Sequence, residues 1–253
     1  MPPRELAHRL AGLVLPRGWS SVRPAAVLVG WLAGLYLLLA VLVATSVTAG
    51  ADADLWSLLG RLNRAGSAHL VIRFLYRFGQ FVLVLAAVAG VSALTSVKRR
   101  SWRPLLVAVG ALGVLDVLML GFKYPLGRSY PHSGLNRVFG SGPSFEAFPS
   151  GHAAHATIGM LLLAALISRL LPASSGRDWW GMRPWSVLLA GVLAFGAGIV
   201  NIVQGYHWTT DVLGGWIIGL AVFVVANELL RQGDPVITPV SGPRTALPAG
   251  PTA

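Results

Sequence analysis

The sequence predicts an all-α, polytopic membrane helix bundle with six transmembrane helices. Three observations carry that prediction. Of 253 residues, 55% are hydrophobic and only 11% are charged, where a soluble domain carries about 25% charged residues. The mean hydropathy is +0.67. The apolar residues are also gathered into six blocks of bilayer-spanning length, roughly 20 residues each, at 26–48, 78–97, 104–122, 153–171, 185–204 and 212–230. All six are rich in Leu, Val, Ala and Gly, which suits helices that pack against one another in lipid.

The elements follow in chain order. Residues 1–25 form a basic lead-in, in which the short apolar stretch is interrupted by Pro16. A full-length span follows it, so a cleaved signal is not indicated. After the first span, Leu55, Leu58, Leu59 and Leu62 recur at helical spacing opposite Arg61 and Arg64, which predicts an amphipathic helix within 51–77 lying at the membrane surface. Residues 123–150 are rich in Gly, Pro and Ser and are expected to lack long regular elements. Trp179, Trp180 and Trp185 mark a short link at headgroup level. The Pro-spaced tail, 231–253, has the composition of a disordered segment. A single six-span domain, 26–230, is the expected organisation.

Charge sets the orientation. The formal net charge is +11, and the basic residues flank the spans. Anionic lipid headgroups, not nucleic acid, are therefore the expected counter-charge. With the N-terminus inside, cytoplasmic segments hold thirteen Lys and Arg and outer segments seven. By the positive-inside rule both termini are cytoplasmic in the cell membrane. The 123–152 loop and the 205–211 turn then face outward. There is no Cys, which excludes disulfides and thiolate metal sites. Nothing in the sequence specifies an oligomeric state, a cofactor or a metal.

Three outward segments gather the reactive groups: KYPLGRSYPHSG at 123–134, FPSGHAAHA at 148–156 and GYHWTTDVLGG at 205–215. His207 and Asp211 are four apart and share a helical face. Such a carboxylate fixes an imidazole tautomer and frees the other nitrogen as nucleophile or base; equally, the pair can be an interfacial His and a capping Asp. Ser150, Gly151 and His152 open the fourth span. Backbone N–H groups and the dipole at a helix start favour a phosphate-like anion, and His152 can protonate a leaving oxygen, although Ser150 is also a good N-cap in its own right. Lys123 and Arg128 supply cations suited to phosphate oxygens or to headgroup anchoring. His155 lies one turn beyond His152 and either lines the same pocket or serves as a capping or interface residue. Asp116 lies inside the third span, where a carboxylate must be buried in the bundle or neutral.

These segments resemble the three signature motifs of the type 2 phosphatidic acid phosphatase superfamily, membrane lipid phosphatases related to bacterial acid phosphatases and vanadium haloperoxidases. The resemblance covers about residues 26–230. The second motif is intact at Ser150, Gly151 and His152, and the third keeps His207 and Asp211. Two arginines of the family pattern are replaced, one by Tyr130 and one by Asn201 (Val200-Asn201 stands where Ser-Arg is usual). The resemblance implies a metal-independent phosphatase. In it His207, oriented by Asp211, forms a phosphohistidine and His152 is the general acid and base. Lys123, Arg128, Ser150 and Gly151 hold the phosphoryl group, with Tyr130, Asn201 and His155 at the pocket. The implied substrates are membrane lipid phosphates: a polyprenyl pyrophosphate, phosphatidic acid or phosphatidylglycerol phosphate. Phosphotransfer through the same intermediate and non-catalytic lipid-phosphate binding are the alternatives.

Overall fold

The computed structural model describes residues 19–64, 69–171 and 181–232. Among these are eight α-helices and two single-turn 3-10 helices, and no strand. The helices are α1 (Trp19–Ala44), α2 (Ala49–Arg64), α3 (His69–Arg77), α4 (Phe81–Arg99), α5 (Arg103–Leu126), α6 (Gly151–Leu170), α7 (Pro184–Val203) and α8 (Thr209–Gln232). Six are long and apolar enough to cross a membrane: α1 from Pro24, and α4 to α8. The predicted spans match them within a few residues. The first ends earlier than expected, at Ala44, where Thr45 turns its hydroxyl back to the Val41 carbonyl at 2.8 Å and Ser46 adopts φ 59°. Arg231 and Gln232, expected to open the disordered tail, continue α8; the rest of that tail, most of the basic lead-in, and Trp179 and Trp180 lie outside the described residues.

Helix α6 is the hub. Of its most apolar window 78% is buried, against 22% for α1, and it packs on α8, α7 and α4. The small residues of α6 and α8 permit this. A Cβ added at Gly215 would lie 2.5 Å from the Ser150 carbonyl oxygen, and one at Gly219 would lie 2.7 Å from that of Ala154. The two glycines are one turn apart, so backbone meets backbone along this seam, as small-residue stripes allow in membrane bundles.

The surface helix differs from the expectation in being two helices, α2 and α3. Leu55 and Leu58 are exposed, at 41% and 57%, while Asp52 is buried and Trp56 and Leu59 are half-buried. The inward seam is therefore 52, 56 and 59. Asp52 and Trp56 set the rotation of the helix on the protein, which leaves Leu55 and Leu58 on the outer side, where a membrane-surface helix presents its apolar stripe.

The 127–150 loop has only the two 3-10 turns, as its composition implied, yet it is tied down. Ser129 N–H donates to the Arg137 carbonyl, Phe139 N–H to Leu126 and Gly140 N–H to Gly127, at 2.9, 2.8 and 3.0 Å. Gly127, which ends α5, has φ +44°, and a Cβ there would strike the Gly140 carbonyl at 2.0 Å; only glycine satisfies both demands. At the opposite end of the bundle arginines tie helices together. Arg99 Nη2 donates to the Arg169 carbonyl at 3.2 Å and Arg103 Nε to that of Leu229 at 3.0 Å.

Candidate active site

The end of α5, the start of α6, the end of α7 and the start of α8 meet at one end of the bundle, with α2 and α3 beside them. His207 sits on the turn between α7 and α8. That turn is folded by Gly205, at φ +76°, and by the Asn201 carbonyl, which accepts from Tyr206 N–H at 2.9 Å and His207 N–H at 3.4 Å. Asp211 is fully buried. Its Oδ2 accepts from Trp208 N–H at 2.9 Å, and its Oδ1 from Arg128 Nη1 at 2.6 Å. His207 Nδ1 lies 3.6 Å from Asp211 Oδ2, beyond hydrogen-bond length, and is buried with no hydrogen-bond partner among the described residues. The pair is aligned but open, and catalytic hydrogen bonds are often long before substrate binds.

His152 occupies the first turn of α6. Its ring stacks on Tyr76 of α3, with centroids 4.3 Å apart and planes at 25°. Gly79, just after α3, backs it so closely that a Cβ would lie 2.5 Å from His152 Cδ2. Its Nε2 is buried without a hydrogen-bond partner among the described residues. Tyr76 also meets Tyr206, the residue before His207, at 5.8 Å. Burial, and then the neighbouring Tyr206, raise the Tyr76 phenol above its ordinary pKa, so it remains a neutral ring against His152. The second and third motifs are joined directly by Ser150 N–H, which donates to the Asp211 carbonyl at 2.9 Å.

The other expected residues have the following places. Ser150 is buried and its hydroxyl caps α6, accepting from Ala153 N–H at 3.4 Å. Gly151 begins the helix with room beside it, since the nearest atom to an added Cβ, Met119 Cε, is 3.6 Å away. Lys123, in the last turn of α5, donates to the Glu146 carbonyl. Tyr130 presents its ring to the edge of His207, centroids 5.5 Å apart, and lies parallel to His132. His155 reaches the Gly151 carbonyl through Nδ1 and Asp116 Oδ1 through Nε2, both at 2.8 Å. Because the carbonyl can only accept, Nδ1 is the donor in the first of these bonds. His155 and Asp116 line a cavity of about 280 Å³ with Lys123 and Gly151.

Two expectations change. Arg128, expected on the phosphate, is only 1% exposed and its guanidinium is committed inside the protein. Nε donates to Asn136 Oδ1 at 3.1 Å, Nη1 to Thr210 Oγ1 and Asp211 Oδ1 at 2.6 Å each, and Nη2 to Asp52 Oδ2 at 2.6 Å. A guanidinium with a partner on every nitrogen is an internal counter-ion here. Asn201, expected at the pocket, is also buried and turns its amide back to the Ala197 carbonyl at 2.7 Å; its main-chain carbonyl is the part that serves the His207 turn. Asp52, Tyr76, Gly79 and Thr210 went unnoticed in the sequence. An Asp in the first turn of a surface helix reads as an ordinary helix-dipole partner, and neither Tyr76 nor Gly79 belongs to a motif.

Six membrane-spanning helices with two histidines and an aspartate gathered at one end define a multi-pass membrane protein with a buried polar centre. The chain belongs to the PAP2 superfamily, whose family model matches residues 101–232. Phosphatidylglycerophosphatase B of Bacillus subtilis is 33% identical over 81 residues, covering 32% of this chain and 37% of that protein. The matched stretch is thus well under half the length of that relative. The crystal structure of a transmembrane PAP2-type phosphatidylglycerolphosphate phosphatase from Bacillus subtilis is similar in fold, with TM-score 0.65 at 24% identity, covering 82% of this chain and 98% of that one.

Proposed function

We propose that this protein is a membrane lipid phosphate phosphatase acting through a phosphohistidine. The observation that carries the proposal is the meeting of His207, Asp211 and His152 at one end of the bundle, tied by the Ser150 N–H bond to the Asp211 carbonyl. The names of the relatives make phosphatidylglycerol phosphate the first substrate to test, before phosphatidic acid and a polyprenyl pyrophosphate.

The chemistry divides into two displacements. His207 Nε2 attacks phosphorus while Nδ1–H closes the gap to Asp211 Oδ2, which stabilises the cationic phosphohistidine. The phosphorus–oxygen bond to the lipid breaks, and His152 gives its proton to the departing oxygen. His152, now neutral, takes a proton from water as that water attacks the phosphohistidine, and inorganic phosphate leaves. Lys123 and the N–H groups at the start of α6 hold the phosphoryl oxygens. Ser150 acts there by fixing the helix start, and Arg128 acts by holding Asp211. With seven basic residues outside and thirteen inside, the site faces the extracytoplasmic side of the plasma membrane, with anionic headgroups around the basic flanks.

The test is phosphate release by detergent-purified protein, with chelator present, beside His207→Ala. Chelator-resistant release from phosphatidylglycerol phosphate that disappears in the variant is the expected result. No release by folded protein from any of the three lipids would overturn the proposal and leave phosphotransfer or lipid-phosphate binding.

A further inference from the structure

We infer that Asp52, on surface helix α2, is a positioning residue for the reaction: it fixes Arg128 and the first turn of α8 so that Asp211 is held in line with His207. The inference rests on the proposed phosphatase function. It concerns a residue outside the stretch 101–232 that matches the family model and outside all three motifs.

Asp52 is 1% exposed and makes three hydrogen bonds. Oδ2 accepts from Arg128 Nη2 and from the Thr210 hydroxyl, each at 2.6 Å. Oδ1 accepts from Thr210 N–H at 3.0 Å. The last bond satisfies one of the N–H groups that a helix start leaves without an intrahelical partner, so α8 is capped by a carboxylate 158 residues away in sequence. Asp52 therefore acts on Asp211 by two routes. One runs through Thr210, the residue immediately before it. The other runs through Arg128, whose Nη1 binds Asp211 Oδ1 while Asp52 holds Nη2 on the same guanidinium. A planar fork anchored at Nε by Asn136, at Nη2 by Asp52 and at Nη1 by Thr210 and Asp211 cannot rotate. Without Asp52 the Nη2 side of the fork is unheld, and the Thr210 hydroxyl that braces Nη1 loses its own acceptor.

The same face of α2 clamps the turn that carries His207. Trp56, one turn on from Asp52, packs edge-on to Trp208 with centroids 6.0 Å apart. Its Nε1 stands 3.2 Å from where a Cβ of Gly205 would be. Trp208 in turn donates from Nε1 to the Ser129 carbonyl at 2.8 Å. A helix outside the six spans thus grips both ends of the 205–211 segment.

The test compares full-length wild type with Asp52→Asn, which removes the charge and turns one of the two acceptor oxygens into a donor facing either Arg128 and the Thr210 hydroxyl or Thr210 N–H, and with Asp52→Glu, which keeps the charge. The expected result for Asp52→Asn is a fall in kcat of roughly 30-fold or more with KM for phosphatidylglycerol phosphate within about threefold, because orientation of the nucleophile is felt in the transition state and not in ground-state binding. Inhibition by orthovanadate, which imitates the five-coordinate phosphorus, should weaken with kcat, while inhibition by inorganic phosphate stays. Asp52→Glu should recover part of kcat. Wild-type kcat in folded Asp52→Asn, or a loss that lies wholly in KM, would overturn the inference. Should Asp52→Asn fail to fold, Thr210→Val removes only the bridging hydroxyl at constant shape; its kcat should fall about fivefold with KM held, and a wild-type kcat there overturns the inference as well. A wild-type protein without turnover would sink the phosphatase proposal and this inference together; turnover that Asp52→Asn leaves intact sinks this inference alone.

Discussion

Replacing Gly215 with alanine would drive a methyl group into the end of the bundle where His152, His207 and Asp211 meet. The new Cβ would stand 2.5 Å from the Ser150 carbonyl oxygen, 2.9 Å from Ala153 Cβ and 3.1 Å from Ala154 N. These neighbours are backbone or rigid, so no side chain can swing away, and α8 must retreat from α6. Ordinary contact begins near 3.4 Å, so the retreat is about 0.9 Å, and overpacking of this kind costs about 1–3 kcal/mol. Alanine gains about 1 kcal/mol over glycine in a helix, which leaves a net loss of roughly 0–2 kcal/mol and a protein that still folds. The larger effect falls on rate. Ser150 N–H binds the carbonyl of Asp211, one turn before Gly215, so the two motifs are displaced against each other. A misplacement of about 1 Å costs on the order of 100-fold in turnover. The assay is steady-state phosphate release alongside thermal unfolding in the same detergent. Gly191→Ala, on α7 with nothing near its Cβ, is the control and should turn over like wild type. A Gly215→Ala enzyme within twofold of wild-type kcat would refute the idea that the α6–α8 backbone contact sets the alignment of the two histidines.

Arg128→Met should destabilise the protein by about 3–5 kcal/mol, because it leaves buried Asp52 and Asp211 without their shared counter-ion. Thermal unfolding and yield measure this; a folded variant of wild-type stability with only a raised KM would instead mark Arg128 as a phosphate ligand. Orientation can be read by labelling a chain that has no Cys of its own. Ser133→Cys, exposed in the loop after α5, should react with an impermeant maleimide on intact cells, and Ser101→Cys, exposed between α4 and α5, should react only after permeabilisation; the reverse pattern would invert the topology.

The six spans could be read from sequence because hydrophobic length is a local property, and any block of such composition must leave water. Their ends moved only by a few residues, as at Ala44, where a Thr hydroxyl and a left-handed Ser finish the helix. The chemical groups could also be read, since His152, His207 and Asp211 stand at fixed distances within two short segments. What sequence could not assign was the partner of each charge. Arg128 is 76 residues from Asp52 and 83 from Asp211, and only the packing of α2 against α8 decides that its fork turns inward and not toward a phosphate. For the same reason Asn201 looks like a replaced arginine in one dimension but is a buried helix-end residue in three. His155 and Asp116, 39 residues apart, are found as a pair only where α5 crosses α6. Tyr76 and Gly79 carry no motif, yet the stack and close backing they give His152 fix where its ring can lie. Composition and local spacing determined a six-span membrane protein and the residue types of its centre. The tertiary structure decided which of those residues line the polar centre and which hold the others in place, because a buried charge takes whichever neighbour the fold brings within about 3 Å.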